Sequence, residues 1–191
     1  GLRAMGSSMQ RIDINLAALL HGEQSVVVHR PLPASATVTV SGRIANVWDK
    51  GKAAVIVFEG SATDDAGPLF DVMASLFVMG GGGWGGERGP SGSPGATAPD
   101  REPDLVVERE TRPEQAAIYR LSGDMNPMHI DPDFATMAGF PGPFNHGLCT
   151  FGIVGHSVLS AWCGGDVNRF GSISGRFADQ VWPGDTIVTR L

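Results

Sequence analysis

Asp124, Asn126 and His129 fall within six residues of one another, in the stretch Tyr119-Arg-Leu-Ser-Gly-Asp-Met-Asn-Pro-Met-His129. A carboxylate, an amide and an imidazole this close can move protons at neutral pH, because histidine titrates there and a neighbouring carboxylate fixes its tautomer. Gly123 and Pro127 keep the backbone out of a regular helix, so the three groups ride on a loop. The plainer alternative is a turn in which Asp124 and Asn126 satisfy local backbone while His129 sits at the surface. Two neighbours favour chemistry. The loop runs directly into a helix start at Ile130-Asp-Pro-Asp133, and Phe144-Asn-His-Gly-Leu-Cys-Thr150 opens a second, amphipathic helix.

The elements that must hold this loop are legible around it. Residues 112–119 read as a short helix with Pro113 in its first turn. Asp131 is a fitting N-cap, with Pro132 at the first helical position and Gly139 as the stop. From Gly147 to Trp162 the apolar Leu148, Phe151, Val158, Leu159 and Trp162 trace one helical face, with Gly152 and Gly155 between them. Free N–H groups and the positive dipole end at its first turn favour negative charge, which makes the Gly147 N–H a natural oxyanion donor. His146 could be misread as a second catalytic or metal-binding histidine, since with Asp124 and His129 it completes a set of three potential ligands. The spacing is loose and no further carboxylate orients it, so no metal is expected.

The N-terminal half is rich in strand signals. Residues 12–20 form a short apolar helix or strand leading into His21-Gly-Glu-Gln24, and residues 26–29, 36–41, 53–58 and 72–78 are β-branched or alternating runs. Pro31-Leu-Pro33, Asp49-Lys-Gly51 and Asp64-Asp-Ala-Gly67 separate them, which predicts an antiparallel meander without a long helix of its own. Asp49-Lys-Gly51 reads as a hairpin tip with Lys50 toward water. Gly81-x-Gly83-x-x-Gly86 satisfies the letters of a dinucleotide fingerprint after a strand. The segment Glu87-Arg-Gly-Pro-Ser-Gly-Ser-Pro-Gly95 cannot open the helix that would receive a pyrophosphate, so a nucleotide fold is rejected. The run is expected to be a flexible strand exit leading into a Gly/Pro/Ala-rich linker. Residues 105–110, 172–177 and 186–191 are further strands, with a turn at Pro183-Gly-Asp185.

Residues 119–152, YRLSGDMNPMHIDPDFATMAGFPGPFNHGLCTFG, resemble the signature of the MaoC-like, hydratase 2 family of (R)-specific enoyl-CoA hydratases. The resemblance implies an α+β double hot-dog: two antiparallel sheets, each wrapping a helix, with the N-terminal helix reduced to leave room for an acyl tail. It implies an N-terminal half over 1–89 carrying the acyl-CoA pocket, a linker over 90–103, and a catalytic C-terminal half over 104–191. Members of the family continue further, so this last half is expected to be truncated. The implied reaction is reversible hydration of trans-2-enoyl-CoA to (3R)-3-hydroxyacyl-CoA in fatty acid metabolism. Asp124 and His129 are the implied acid/base pair, Asn126 their positioning partner and Gly147 the oxyanion donor. His21, Gly22 and Lys50 in the first half are implied to border the ligand, as are Met125, Pro127, Met128 and Phe177 in the second. Coenzyme A is part of the substrate, and no metal or redox cofactor is implied. Two alternatives share the fold: a thioesterase that directs water at the carbonyl carbon instead of C3, and a non-catalytic acyl-CoA-binding module. The complete G-D-x-N-P-x-H pattern argues against both.

Net charge is −6 with a pI near 5.2 and no Lys/Arg cluster, so a nucleic-acid partner is not expected, and an anionic ligand needs locally placed cations. Cys149 and Cys163 follow no metal or redox spacing and are expected to be reduced thiols. No apolar run of about 18 residues spans a bilayer and no signal-peptide layout opens the chain. The expectation is a soluble protein without a membrane partner, cytoplasmic, or peroxisomal in a eukaryote, working on an acyl-CoA thioester as a homodimer.

Overall fold

In this computed structural model, residues 18–90 and 99–191 are described. The chain divides into two compact units, Gly1–Ala96 with Phe170–Arg176, and Thr97–Arg169 with Phe177–Leu191. The first unit is a five-stranded antiparallel sheet in the order β2-β3-β4-β1-β6, built from β1 (Leu19–Val28), β2 (Thr39–Asp49), β3 (Ala53–Asp64), β4 (Gly67–Met79) and β6 (Ser172–Arg176). Alternation decides its faces. Ala54, Ile56 and Phe58 of β3 oppose Val78, Leu76 and Ala74 of β4; all six are buried, and all but Ala74 form one core cluster with Leu19 and Ile44 packed against it. On the other face Arg43 donates to Glu59 at 2.6 Å, and the Ser41 and Ser61 hydroxyls meet at 2.7 Å.

The sheet departs from the expected meander. Only β2, β3 and β4 follow one another; β1 pairs with β4, and β6 crosses from the C-terminal part of the sequence to pair with β1. β4 is apolar along its second half and therefore takes a central place with a neighbour on each side, whereas Pro31 and Pro33 break the chain between β1 and β2. β1 also begins earlier than the sequence pattern indicated. His21 to Gln24 lie within it, and the part of the expected first element over 12–17 lies outside the described residues. Register slips between His21 and Glu23, which makes Gly22 a bulge. A Cβ there would come to 2.3 Å from the Phe77 ring, so only glycine fits.

The glycine run after β4 is a pinned turn rather than the flexible exit expected. The buried Asp49 carboxylate accepts from the backbone N–H groups of Gly83 at 2.7 Å and of Gly51 and Gly85 at 2.8 Å each. These bonds, that from Gly83 foremost, hold its carboxyl below the usual carboxylate range. Gly83 and Gly85 have φ of 90° and 80°, in the left-handed region where glycine is at ease.

The second unit holds β5 (Val106–Glu110), α1 (Gln115–Arg120), α2 (Pro132–Met137), α3 (Gly147–Ala161) and β7 (Thr186–Arg190). β5 and β7 pair antiparallel, and α3 packs against both. Thr111, 2% exposed, fastens the exit of β5: its hydroxyl donates to the Asp185 carbonyl at 2.9 Å and accepts from Gly184 N–H at 3.0 Å. Asp131 caps α2 as expected, accepting from Asp133 and Phe134 N–H, with Pro132 at its start. The buried side of α3 differs from the expected face. Cys149 and Ser157 are its buried residues, whereas Trp162 just past its end is 53% exposed. The helix is apolar nearly all round, and small side chains rather than bulky ones mark where another element approaches. Both cysteines are free and buried. Among the described residues no helix is long and apolar enough to cross a membrane.

Candidate active site

The loop between α1 and α2 is shaped by short-range bonds that its own residue types dictate. Gly123, at φ 108°, turns the chain after α1, and an Arg120 guanidinium N–H donates to the Met125 carbonyl at 2.8 Å, folding the loop back on the helix end. Asp124 Oδ1 accepts from Asn126 N–H at 3.2 Å, the Asx-turn geometry that aspartate favours. Asn126 Oδ1 in turn accepts from Met128 N–H at 3.1 Å and caps a single 3-10 turn, Pro127–His129. Met128, 1% exposed, anchors that turn in the interior, while Met125 at 60% stands out in solvent. Asn126 thus links Asp124 to the turn carrying His129 through its backbone on one side and its amide oxygen on the other.

His129 Nδ1–H donates to the Phe144 carbonyl oxygen at 2.8 Å. Because a carbonyl can only accept, this bond assigns the ring proton to Nδ1 and leaves Nε2 with a free lone pair, the form a general base requires. The Phe144 ring stands edge-on to the imidazole at 5.0 Å. Burial holds the His129 pKa below the ordinary histidine range, against opposing pulls from the Phe144 bond and the Asp124 charge. A ligand atom from each of Asp124, His129 and His146 lies within 4.8 Å of the others. A zinc ion would need all of its ligands at about 2.0–2.2 Å, and His146 has one nitrogen committed elsewhere, which leaves only the other to offer.

That commitment is a bond from His146 Nε2–H to the Asp124 backbone carbonyl, at 3.3 Å. The His146 and His129 rings lie over one another with centroids 3.8 Å apart and planes at 33°. Burial, then the proximity of His129, pushes the His146 pKa down to about 4, so it is neutral at physiological pH. His146 is 1% exposed, and its Nδ1 has no partner among the described residues. Leaving a buried acceptor unpaired costs about 1–3 kcal/mol. The neighbouring Asn145, 3% exposed, leaves both polar atoms of its amide unpartnered as well.

His146 is also the residue on which α3 begins. The first intrahelical bond runs from Cys149 N–H to the His146 carbonyl at 2.9 Å, so the Gly147 N–H precedes the ladder and lies at the positive end of a 15-residue helix. The Phe177 ring stands over Gly147, where a Cβ would meet it at 3.4 Å. The second unit therefore gathers Asp124, Asn126, His129, Gly147 and Phe177, together with Pro127 and Met128 of the same turn. Sequence reasoning weighed His146 only as a second catalytic or metal-binding histidine and gave it no role. Two polar residues directly ahead of an apolar helix are the signal that could have raised it.

The first unit holds the other three candidates. His21 Nε2–H donates to the Glu23 carbonyl at 3.0 Å within the β1 bulge, beside the Gly22 that packs on Phe77. Lys50 lies at the β2–β3 tip, as expected, and its ammonium donates to the Pro90 carbonyl at 2.6 Å.

Residues 95–191 match the family model of the MaoC like domain. The chain belongs to the MaoC-like family. Residues 2–80 of this MaoC-like chain also match the model of the MFE-2 hydratase 2 N-terminal domain. It is 44% identical over 181 residues to the enoyl-CoA hydratase ChsH3 of Mycobacterium tuberculosis, covering 94% of this chain and 63% of that protein. The crystal structure of a MaoC-like dehydratase from Phytophthora capsici superposes with a TM-score of 0.84 at 41% identity, over 92% of this chain and 62% of that one. A Mycobacterium tuberculosis protein described as a double hot-dog superposes at 0.59 with 12% identity, over 97% and 65%, a likeness of fold alone. The fold is the α+β double hot-dog. The MaoC-like chain spans less than two thirds of each of these proteins.

Proposed function

We propose that this protein is an (R)-specific enoyl-CoA hydratase, adding water reversibly to trans-2-enoyl-CoA to give (3R)-3-hydroxyacyl-CoA in fatty acid metabolism. The observation that carries the reading is the tautomer of His129: with Nδ1–H bound to the Phe144 carbonyl, Nε2 is a proton acceptor, in a ring that has a nitrogen within 4.8 Å of an Asp124 carboxylate oxygen. His129 Nε2 takes a proton from water as the water oxygen bonds to C3. The C2=C3 electron pair moves toward the thioester, whose oxygen gains charge against the Gly147 N–H at the start of α3. C2 then receives a proton from the Asp124–His129 pair, so that one water has been added and the pair is restored. Asn126 holds the two groups in register. No metal or redox cofactor takes part in this scheme.

Phe177 over Gly147, Pro127 in the loop turn and the exposed Met125 are the groups of the second unit proposed to border the substrate; Met128, also expected there, is enclosed at 1% exposure and supports the turn from the interior instead. In the first unit, taken by itself, His21, Gly22 and Lys50 are the groups proposed to contact acyl-CoA. We place the protein in the cytoplasm, or in the peroxisome of a eukaryotic cell, as a homodimer. The test is the loss of enoyl-thioester absorbance from crotonyl-CoA and a longer homologue. Hydration predicts that loss without free thiol, whereas thiol release marks a thioesterase and no reaction marks a binding module.

Lys50 supplies a cation for an anionic ligand on a chain whose net charge is −6. Lys50→Glu is expected to raise KM roughly three- to tenfold at low ionic strength and less at high salt, where exposed charges are screened. A KM unchanged at low salt leaves Lys50 as a hairpin tip held to Pro90.

A further inference from the structure

His146 carries no step in the scheme above, yet it is among the most enclosed side chains of the chain, at 1% exposed. Its ring lies 3.8 Å from that of His129 and 4.8 Å from that of Tyr119, and its Nε2–H is fixed on the Asp124 backbone. It directly precedes Gly147. One side chain thus touches the carrier of the carboxylate and the base, and begins the helix that offers the oxyanion donor. Its unpartnered Nδ1 is a cost to stability, and the one bond the ring does make goes to the backbone of the residue that carries the carboxylate.

We propose that His146 is a positioning residue of the acid/base site: as a neutral ring it fixes the plane of His129 by stacking and the Asp124 backbone by its Nε2–H. The inference rests on the hydratase reading for its kinetic consequences, but not for its geometry. The titratable and charged groups facing His146 are His129, Asp124, Arg120 and Tyr119. Burial, His129 and Arg120 all disfavour a proton on it, and only Asp124 favours one. The ring therefore stays neutral while His129 exchanges protons.

Two substitutions separate its two contacts. His146→Phe keeps a ring for stacking and removes the donor; His146→Gln keeps a donor and removes the ring. Each is expected to lower kcat about 10- to 100-fold, the scale of a small misplacement of catalytic groups. KM for crotonyl-CoA should stay within about twofold, because the enclosed side chain does not contact substrate. Burial holds the His129 pKa down, so opening that ring to water must raise it. In His146→Gln the acid limb of kcat/KM and the His129 titration followed by NMR without substrate should both move to higher pH, whereas in His146→Phe neither should rise. Unchanged kcat in both variants, a loss confined to KM, or a His129 titration unmoved in His146→Gln overturns the proposal. If the unsubstituted protein hydrates no enoyl-CoA, the hydratase reading fails while the NMR titration still decides the positioning role. If His146→Gln does not fold, kcat and KM of His146→Phe decide it.

Discussion

Asp124→Asn and His129→Ala each lower kcat by about 10²–10⁴, the range for loss of a positioned acid or base. The double variant should fall little further, because the two groups transfer protons as a unit and their losses do not add. The pH dependence has a definite sign. Protonated Nε2 cannot accept a proton, so activity falls as pH drops through the His129 pKa, which burial places below the ordinary value of about 6.5. The Asp124 charge raises that pKa, so in Asp124→Asn the acid limb of the residual activity should lie lower still. Circular dichroism and thermal unfolding establish that each variant is folded. Near wild-type turnover in either folded single variant removes the pair from the mechanism.

Gly147→Pro is the second large effect, and here activity and stability should part company. Proline at the first helical position forfeits an N–H that the helix does not use and has the φ the helix requires. It constrains the residue before it to extended backbone, and His146 already has φ −58° and ψ 132°. The substitution removes the proposed oxyanion donor with α3 left in place, and kcat is expected to fall about 10²–10³-fold. Thermal unfolding should occur near the wild-type temperature. A folded Gly147→Pro protein with full activity places the oxyanion contact elsewhere.

The parts legible in the sequence are those encoded by neighbours along the chain. Asp131 and Pro132 specify the start of α2 within three residues, and Gly123, Asp124, Asn126 and Pro127 turn the loop through bonds that close over two positions. Pairings over long separations are not written in local periodicity. β1 joins β4 instead of its sequence neighbour β2, and β6 leaves its own half of the chain for the first sheet. Asp49 gathers N–H groups from Gly83 and Gly85, more than thirty positions away, so composition alone suggested a loose exit where the structure has a tied turn. The same distance hid His146: its bond to Asp124 spans 22 residues, and nothing within its own segment indicates that partner. For α3, the bulky residues suggested a face, while Cys149 and Ser157 mark the buried side.

The central claim, one acid/base pair working on one face of an enoyl thioester pinned at Gly147, is tested most directly by the product formed from crotonyl-CoA in deuterated water. Water and proton arriving from the same side predict syn placement of hydroxyl and deuterium, and the hydratase reading predicts the (3R) alcohol. Anti placement contradicts the shared-face mechanism whatever the product's hand, and a (3S) alcohol contradicts the assignment as an (R)-specific hydratase.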